Sequence, residues 1–380
     1  MGVSKVNKLK DLMQELCPNG VEYKKLADCC VLEKGCTPIQ KAIPGEYPLV
    51  VTTEERKSCN TYQFDKPTVC IPLVSSRGHG VASLNRLYYQ EGKFALGNIL
   101  CGVTPVNSDE LSAKYLFYYL NHKKDTLIVP LMRGGANVSL TVDSLKRVKV
   151  PVPPVSVQCE IVRVFDKFES LGNELTAELA ARKKQHEYYR ASLFDFENNS
   201  AVKWYKLQEI ADIGTGSSNT NEGSVDGEYP FFVRSQEPLR KDAFEYDETA
   251  IITAGDGVGV GKVFHYVEGK YALHQRAYRI HITVPEILPK YYFHYMKTTF
   301  LEYIQKTMFQ GAVASIRRPM LNAFPVPVPS FEEQEGIVSI LEHFDALCDS
   351  SSNGIPAEIE ARQKQYKHYR DKLLTFKPLP

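Results

Sequence analysis

The sequence predicts an α+β fold in which two similar mixed α/β domains are joined by two long antiparallel, coiled-coil-like helices related by a pseudo-twofold axis. Three observations predict it. The chain repeats itself in order at an offset of about 180 residues: Pro151-Val-Pro-Pro, Gln158 and Ile161-Val-Arg-Val-Phe-Asp-Lys-Phe168 return as Val326-Pro-Val-Pro, Gln334 and Ile337-Val-Ser-Ile-Leu-Glu-His-Phe344. A repeat so long, present only twice, is too coarse for a solenoid and describes two globular units. Each copy then reaches a second signature, Ala181-Arg-Lys-Lys-Gln-His-Glu-Tyr-Tyr-Arg190 and Ala361-Arg-Gln-Lys-Gln-Tyr-Lys-His-Tyr-Arg370. Between the two signatures, apolar residues recur at spacings of three and four, the stripe of a helix packed along one face.

A chain of 380 residues holds two domains of ordinary size. Hydrophobic content of 43% and charged content of 24% are those of a folded soluble protein. The net charge of +1 does not advertise nucleic-acid binding, but it says nothing about how charge is distributed. No apolar run is long enough to span a membrane, and the polar, Lys-rich start from Met1 to Leu16 does not read as a signal peptide. The nine cysteines contain no Cys-x-x-Cys, and Cys29 and Cys30 are adjacent; reduced thiols in a cytoplasmic protein fit this better than a zinc site or a disulfide framework.

Taken in order, residues 1–20 form an N-terminal helical segment: Val6 to Leu16 is amphipathic and stops at Cys-Pro-Asn-Gly20. Residues 21–154 form the first domain and 203–329 the second, tied by further echoes. Gly45-Glu-Tyr-Pro-Leu-Val-Val matches Gly227-Glu-Tyr-Pro-Phe-Phe-Val, and Glu91-Gly-Lys-Phe-Ala-Leu matches Glu268-Gly-Lys-Tyr-Ala-Leu. Gly135-Ala, Ser139 and Leu140 correspond to Gly311-Ala, Ser315 and Ile316. Strands are expected at 68–74 and 250–253 from their β-branched and apolar content, and helices at the Tyr/Phe-rich segments 112–122 and 289–299. Residues 141–147 read as a short helix leading into a strand at 148–152. Residues 155–202 hold the central helix, from Val157 to Phe194, roughly 55 Å at about 1.5 Å per residue. Ile161, Val164, Phe168, Leu171 and Leu175 carry its stripe. Residues 330–380 hold the second helix, with a break near 350–356 where Gly354 and Pro356 end one helix and open another. The economical packing lays one striped helix against the other; the alternative is that each covers its own domain.

Catalytic motifs are not visible. Gly255-Asp-Gly-Val-Gly-Val-Gly-Lys262 resembles a phosphate loop but has Asp256 where a glycine is needed and Val263 where a hydroxyl is needed, so it reads as a turn between strands. There is no Gly-x-Ser-x-Gly, no His-Glu-x-x-His, and no metal-binding cluster. What remains is polar and basic side chains in loops at parallel places. In the first domain these are Arg56, Lys57, Ser75, Ser76, Arg77, His79, Asn85, Arg86, Arg133 and Asn137. In the second they are Arg234, Ser235, Gln236, Arg240, Lys262, His274, Gln275, Arg276, Arg317 and Arg318. Such side chains read base edges and hold phosphates, which makes these loops the candidate DNA contacts.

These signatures resemble the specificity (S) subunits of Type I restriction-modification enzymes over essentially the whole chain. Leu16-Cys-Pro-Asn-Gly-Val-Glu-Tyr-Lys-Lys-Leu26 and Pro356-Ala-Glu-Ile-Glu-Ala-Arg362 add to the resemblance. It implies two target-recognition domains, each reading half of a split, asymmetric site on double-stranded DNA, and helices that set the spacing and dock partners. It also implies a non-catalytic chain with no cofactor of its own. The expected partners are two methyltransferase (M) subunits, which carry S-adenosylmethionine, and motor-nuclease (R) subunits in the full complex. No membrane association is expected, and the location is cytoplasmic. Individual base-reading residues do not carry over, because recognition domains diverge within such families. A protein-binding scaffold with two interaction domains is the alternative, and a nucleotide-dependent enzyme resting on the Gly255 loop is third.

Overall fold

The computed structural model describes the chain except residues 1–8, 10, 54, 56, 79, 80, 83, 85, 136, 198, 308–314 and 349–353; at 76–78, 81 and 82 it describes the backbone alone. The chain divides into two compact units: residues 1–175 with 359–380, and residues 176–358.

In unit 1, β1 (Glu22–Lys25) pairs with β13 (Lys149–Val152), bringing the two ends of the first domain's sequence together. A four-stranded sheet runs in the order β2 (Cys30–Lys34), β10 (Leu100–Pro105), β5 (Thr68–Pro72), β8 (Tyr88–Gln90). A second runs β11 (Arg133–Gly134), β12 (Asn137–Ser139), β6 (Val74–Gly78), β7 (Val81–Ala82). A three-stranded sheet places β3 (Tyr47–Val50) between β4 (Lys57–Cys59) and β9 (Ala95–Leu96). Short helices α1 (Leu26–Cys29) and α3 (Val142–Lys146) flank the core. Helix α2 (Ala113–Leu127) opens on Ser112, whose hydroxyl accepts from the Tyr115 N–H, and buries Tyr115, Leu116, Tyr119 and Leu120.

In unit 2, β14 (Lys203–Lys206) pairs with β21 (Pro325–Val328) as β1 pairs with β13. One six-stranded sheet runs β15 (Ala211–Thr215), β20 (Ala277–Ile282), β18 (Tyr246–Ala254), β19 (Phe264–Leu273), β16 (Tyr229–Phe232), β17 (Leu239–Lys241). Helices α5 (Leu207–Ile210), α6 (Pro289–Thr307) and α7 (Arg318–Asn322) complete it. The echoed segments of the sequence pair with each other in both units. Leu49 and Val50 lie parallel to Ala95 and Leu96, and Phe231 and Phe232 lie parallel to Ala272 and Leu273.

Two local expectations are corrected. The strand foreseen at 68–74 is two strands, because Leu73 leaves the ladder: its N–H donates to the Ile99 carbonyl, and its carbonyl accepts from Leu140. The strand foreseen from Val148 begins at Lys149, since the Val148 N–H is spent on the Leu145 carbonyl that closes α3. The strand at 250–253 and the Tyr/Phe-rich helices are longer than foreseen, reaching 246–254, 113–127 and 289–307.

Helix α4 (Val155–Leu193) is continuous over 39 residues, and the division between units falls within it. In unit 1 its first half packs on α9 (Ile355–Leu373): Phe168 meets the rings of Tyr366 and Tyr369 at 5.9 and 5.8 Å. In unit 2 its second half packs on α8 (Phe331–Cys348): Phe344 meets His186 and Tyr189 at 5.6 and 5.5 Å. The pairing is antiparallel in each. In unit 1, Phe376, just past α9, returns to Tyr115, whose hydroxyl holds Pro151 near the start of α4. In unit 2, Phe194 reaches Tyr291, whose hydroxyl holds Pro327 near the start of α8. Around the break foreseen near 350–356, α8 ends at Cys348 and α9 begins at Ile355 with Pro356 in its first turn; residues 349–353 lie outside the described ones.

Candidate nucleic-acid interface

The frame beneath the loops is the same in both units down to single hydrogen bonds. Gln158 and Gln334 are fully buried. Each amide oxygen accepts from the backbone at the start of the Tyr-rich helix, Ser112 at 2.8 Å and Leu288 at 2.9 Å. Each amide nitrogen donates to two carbonyls, Glu110 and Pro153 in unit 1, Glu286 and Pro329 in unit 2. Lys114 pairs with Asp166 as Lys290 pairs with Glu342. The Leu140 N–H bonds to the Leu73 carbonyl as that of Ile316 bonds to the Gly255 carbonyl, so the segments after these positions start from one place in the frame.

From that place unit 1 builds a sheet. Ser75 and Ser76 lie on β6 opposite Val138 and Asn137 of β12, and Arg77 lies opposite Ala82 of β7. Arg133 follows on β11, its guanidinium donating to the Pro130 carbonyl at 2.7 Å. Five of the ten residues singled out in this domain therefore sit on one small sheet assembled from segments some 60 residues apart. Lys57 and Arg86 sit elsewhere, lining a cleft of about 220 Å³ with Val50, Tyr88 and Gln90; Arg86 lies over the Tyr88 ring at 5.0 Å. In unit 2 the residue matching Val50 is Phe232, whose ring lies 4.9 Å from that of His265. Arg56, His79 and Asn85 lie outside the described residues.

From the same place unit 2 builds a loop. Residues 255–263 join β18 to β19 as a turn, as the failed phosphate-loop spacing foresees. Arg234 and Arg276 both donate to the Asp256 carboxylate, at 2.7 and 3.1 Å. Burial works to raise the Asp256 pKa, but the hydrogen bonds and charges of Arg234 and Arg276 outweigh it and hold the carboxyl below its usual value. Asp256 also forms a β-bridge with Ser315, which brings Arg317 into the same region of backbone. Arg234, Ser235, Gln236, Arg240, Lys262, Gln275, Arg276, Arg317 and Arg318 are exposed.

Several of the residues singled out in unit 2 are engaged in holding the fold. His274 is buried, its Nδ1 accepting from the Arg276 N–H at 3.0 Å; burial first, then the nearby Arg234 and Arg276, depress its pKa. Its lone pair at Nδ1 therefore faces the backbone, and the ring orders the turn that presents Arg276. The Ser235 hydroxyl donates to the Glu237 carbonyl at 2.7 Å. Arg240 holds the Gly227 and Glu228 carbonyls at 2.6 and 2.7 Å, and Arg318 donates to the Ile213 carbonyl. Gln275 donates to Asn219. Sequence reasoning missed Asp256 as the clasp for two arginines; its signal was a carboxylate replacing glycine in an otherwise Gly-rich loop. Among the described residues no group of three or more His, Cys, Asp or Glu could hold a metal ion, and no helix is long and apolar enough to cross a membrane.

The family model described as Type I restriction modification DNA specificity domain matches twice, at residues 18–182 and 199–361. The chain is 34% identical to the EcoR124I/EcoR124II Type I restriction enzyme specificity subunit of Escherichia coli, covering 72% of this chain and 73% of that one. It is 29% identical to a Type I restriction enzyme specificity subunit assigned in Haemophilus influenzae, covering 94% and 96%. Among solved structures it resembles the Type I restriction-modification S subunit of M. genitalium, with a TM-score of 0.56 at 16% identity over 93% of this chain and 95% of that one. At that identity the likeness speaks for the fold.

Proposed function

This chain belongs to the Type I restriction modification DNA specificity family, and from that membership we propose that its two units each read one half of a bipartite, asymmetric DNA site. The chain is a specificity subunit and not itself an enzyme. The observation that carries the reading is a constant frame with unlike ends: the Gln158 and Gln334 hubs make corresponding hydrogen bonds, while the same frame position leads to a strand in unit 1 and an Arg-clasped loop in unit 2. Two readers of different sequence on one scaffold suit a site whose halves differ.

In this reading cations in the loops contact phosphates and position the units, and neighbouring polar side chains read base edges. The helix pairs set the separation of the half-sites and dock two methyltransferase subunits, with motor-nuclease subunits joining in the full complex. Binding and turnover of S-adenosylmethionine belong to the methyltransferase, and a cytoplasmic location follows from a genomic DNA target. The test is methylome mapping in cells that carry this chain and its methyltransferase, before and after replacing residues 21–154 with those of a relative. One half-site should change while the other stays. Loss of both, or change in neither, with the chimaera still assembled, would sink the reading.

A further inference from the structure

Val258 is 96% exposed in the 255–263 loop, and residues on both sides of it anchor that loop. Val260 and Val263 are buried at 5% and 7%, anchoring the loop against the unit 2 core. Gly261 has φ +70°, and a Cβ there would meet the Ile304 side chain of α6 at 2.6 Å, so the backbone lies directly on that helix. Asp256, two residues before Val258, is clasped by Arg234 and Arg276. Gly257, at φ +81°, turns the chain outward between the clasp and Val258 with nothing within 4 Å of its Cβ position. The loop therefore presents one apolar side chain to solvent, and three exposed cations belong to it or are tied to it: Lys262 on the loop, Arg276 through Asp256, and Arg317 two residues past the Asp256–Ser315 bridge.

Scattered exposed valines need no explanation, but this one stands on a loop anchored on both sides of it and linked to exposed cations. Cations around it suit phosphates, which position a protein on a duplex and carry no sequence information. The apolar feature of the major groove that distinguishes a base is the 5-methyl group of thymine. We propose that Val258 is a specificity-determining residue that packs on the 5-methyl of one thymine in the half-site read by unit 2. This rests on the reading that unit 2 contacts DNA.

The experiment uses the assembled complex with its methyltransferase and a duplex carrying the mapped site. Each thymine of the unit 2 half-site is replaced in turn by uracil, which removes only the methyl group, and binding is measured by competition. For the unaltered chain, one thymine→uracil change should weaken binding about four-fold, the size expected for one methyl returned to water. With Val258→Ala the thymine duplex should bind correspondingly less well and that same change should cost almost nothing. An equal thymine-to-uracil ratio in both proteins overturns the proposal, as does a half-site in which no thymine is sensitive. If Val258→Ala instead weakens assembly with the methyltransferase and leaves the ratio unchanged, Val258 is a protein contact and the proposal falls. Replacement of residues 203–329 separates the two levels. If neither half-site changes, the DNA reading of unit 2 has failed along with this inference; if one changes while the ratios stay equal, only the role of Val258 has failed.

Discussion

At the scale of single residues, Gln158 and Gln334 show how a repeated letter becomes a structural hub. Each amide satisfies one backbone N–H and two carbonyls at a junction where a loop, a proline segment and a helix start meet. Gln334→Leu keeps the volume and strips all three partners, so it should lower the stability of unit 2 by at least about 2 kcal/mol, given roughly 1–3 kcal/mol per buried unsatisfied group. Urea midpoints of the two proteins check this; an unchanged midpoint would show that water replaces the amide. His294 makes a pH prediction. Burial lowers its pKa to about 4, outweighing Asp345, with Lys297 and Arg190 adding to the shift. The neutral ring is therefore stabilising above the unfolded value near 6.5, and that contribution is lost as pH falls toward 4, up to about 3 kcal/mol. His294→Phe should flatten the fall of unit 2 stability over that window, followed by thermal unfolding at several pH values. Legibility at this scale was partial. The type of side chain announced what His274 or Arg240 could do, but whether it was spent on the fold depended on turns that only the folded chain brings together.

At the scale of elements, the striped helices were legible because an apolar stripe at three- and four-residue spacing is a local property. Their pairing repeats in both units, with Phe168 on Tyr366 and Tyr369 in one and Phe344 on His186 and Tyr189 in the other. Continuity of α4 across 39 residues makes it a candidate ruler. Inserting four residues near Leu175 adds about 6 Å of helix, close to two base-pair steps of about 3.4 Å. Methylation mapping should then find unchanged half-sites separated by a longer gap; unchanged spacing would remove the ruler role. The strands were less legible. The run from Thr68 to Val74 is apolar throughout except Thr68, yet it belongs to two sheets, because Leu73 exchanges hydrogen bonds with Ile99 and Leu140.

At the scale of the molecule, unit 1 is closed by residues from the far end of the sequence. The Val21 N–H donates to the Lys377 carbonyl at 2.8 Å, the Tyr23 hydroxyl donates to the Phe376 carbonyl at 3.1 Å, and Leu373 and Leu374 are fully buried in the unit 1 core. Deleting residues 373–380 should therefore expose unit 1, not unit 2, to limited proteolysis, with early cuts mapping before residue 175. Early cuts confined to unit 2 would contradict this division. Binding of the assembled complex to duplex DNA should weaken steeply with salt, as phosphate contacts release counterions. A flat response would favour a protein scaffold instead.

The duplication, the order of its parts, the helical stripes and the lack of catalytic motifs were all readable from the chain, since each is a matter of local spacing or residue type. Which half of α4 serves which unit, which basic residues stand free and which hold carbonyls, and which loop side chain is presented on a clasped frame were decided by the tertiary structure. These depend on burial and hydrogen bonding between segments tens to hundreds of residues apart, as when Tyr23 closes on Phe376 or Arg234 and Arg276 close on Asp256. Local periodicity carries no record of such closures, because the free energy that selects them comes from contacts the chain makes only once folded.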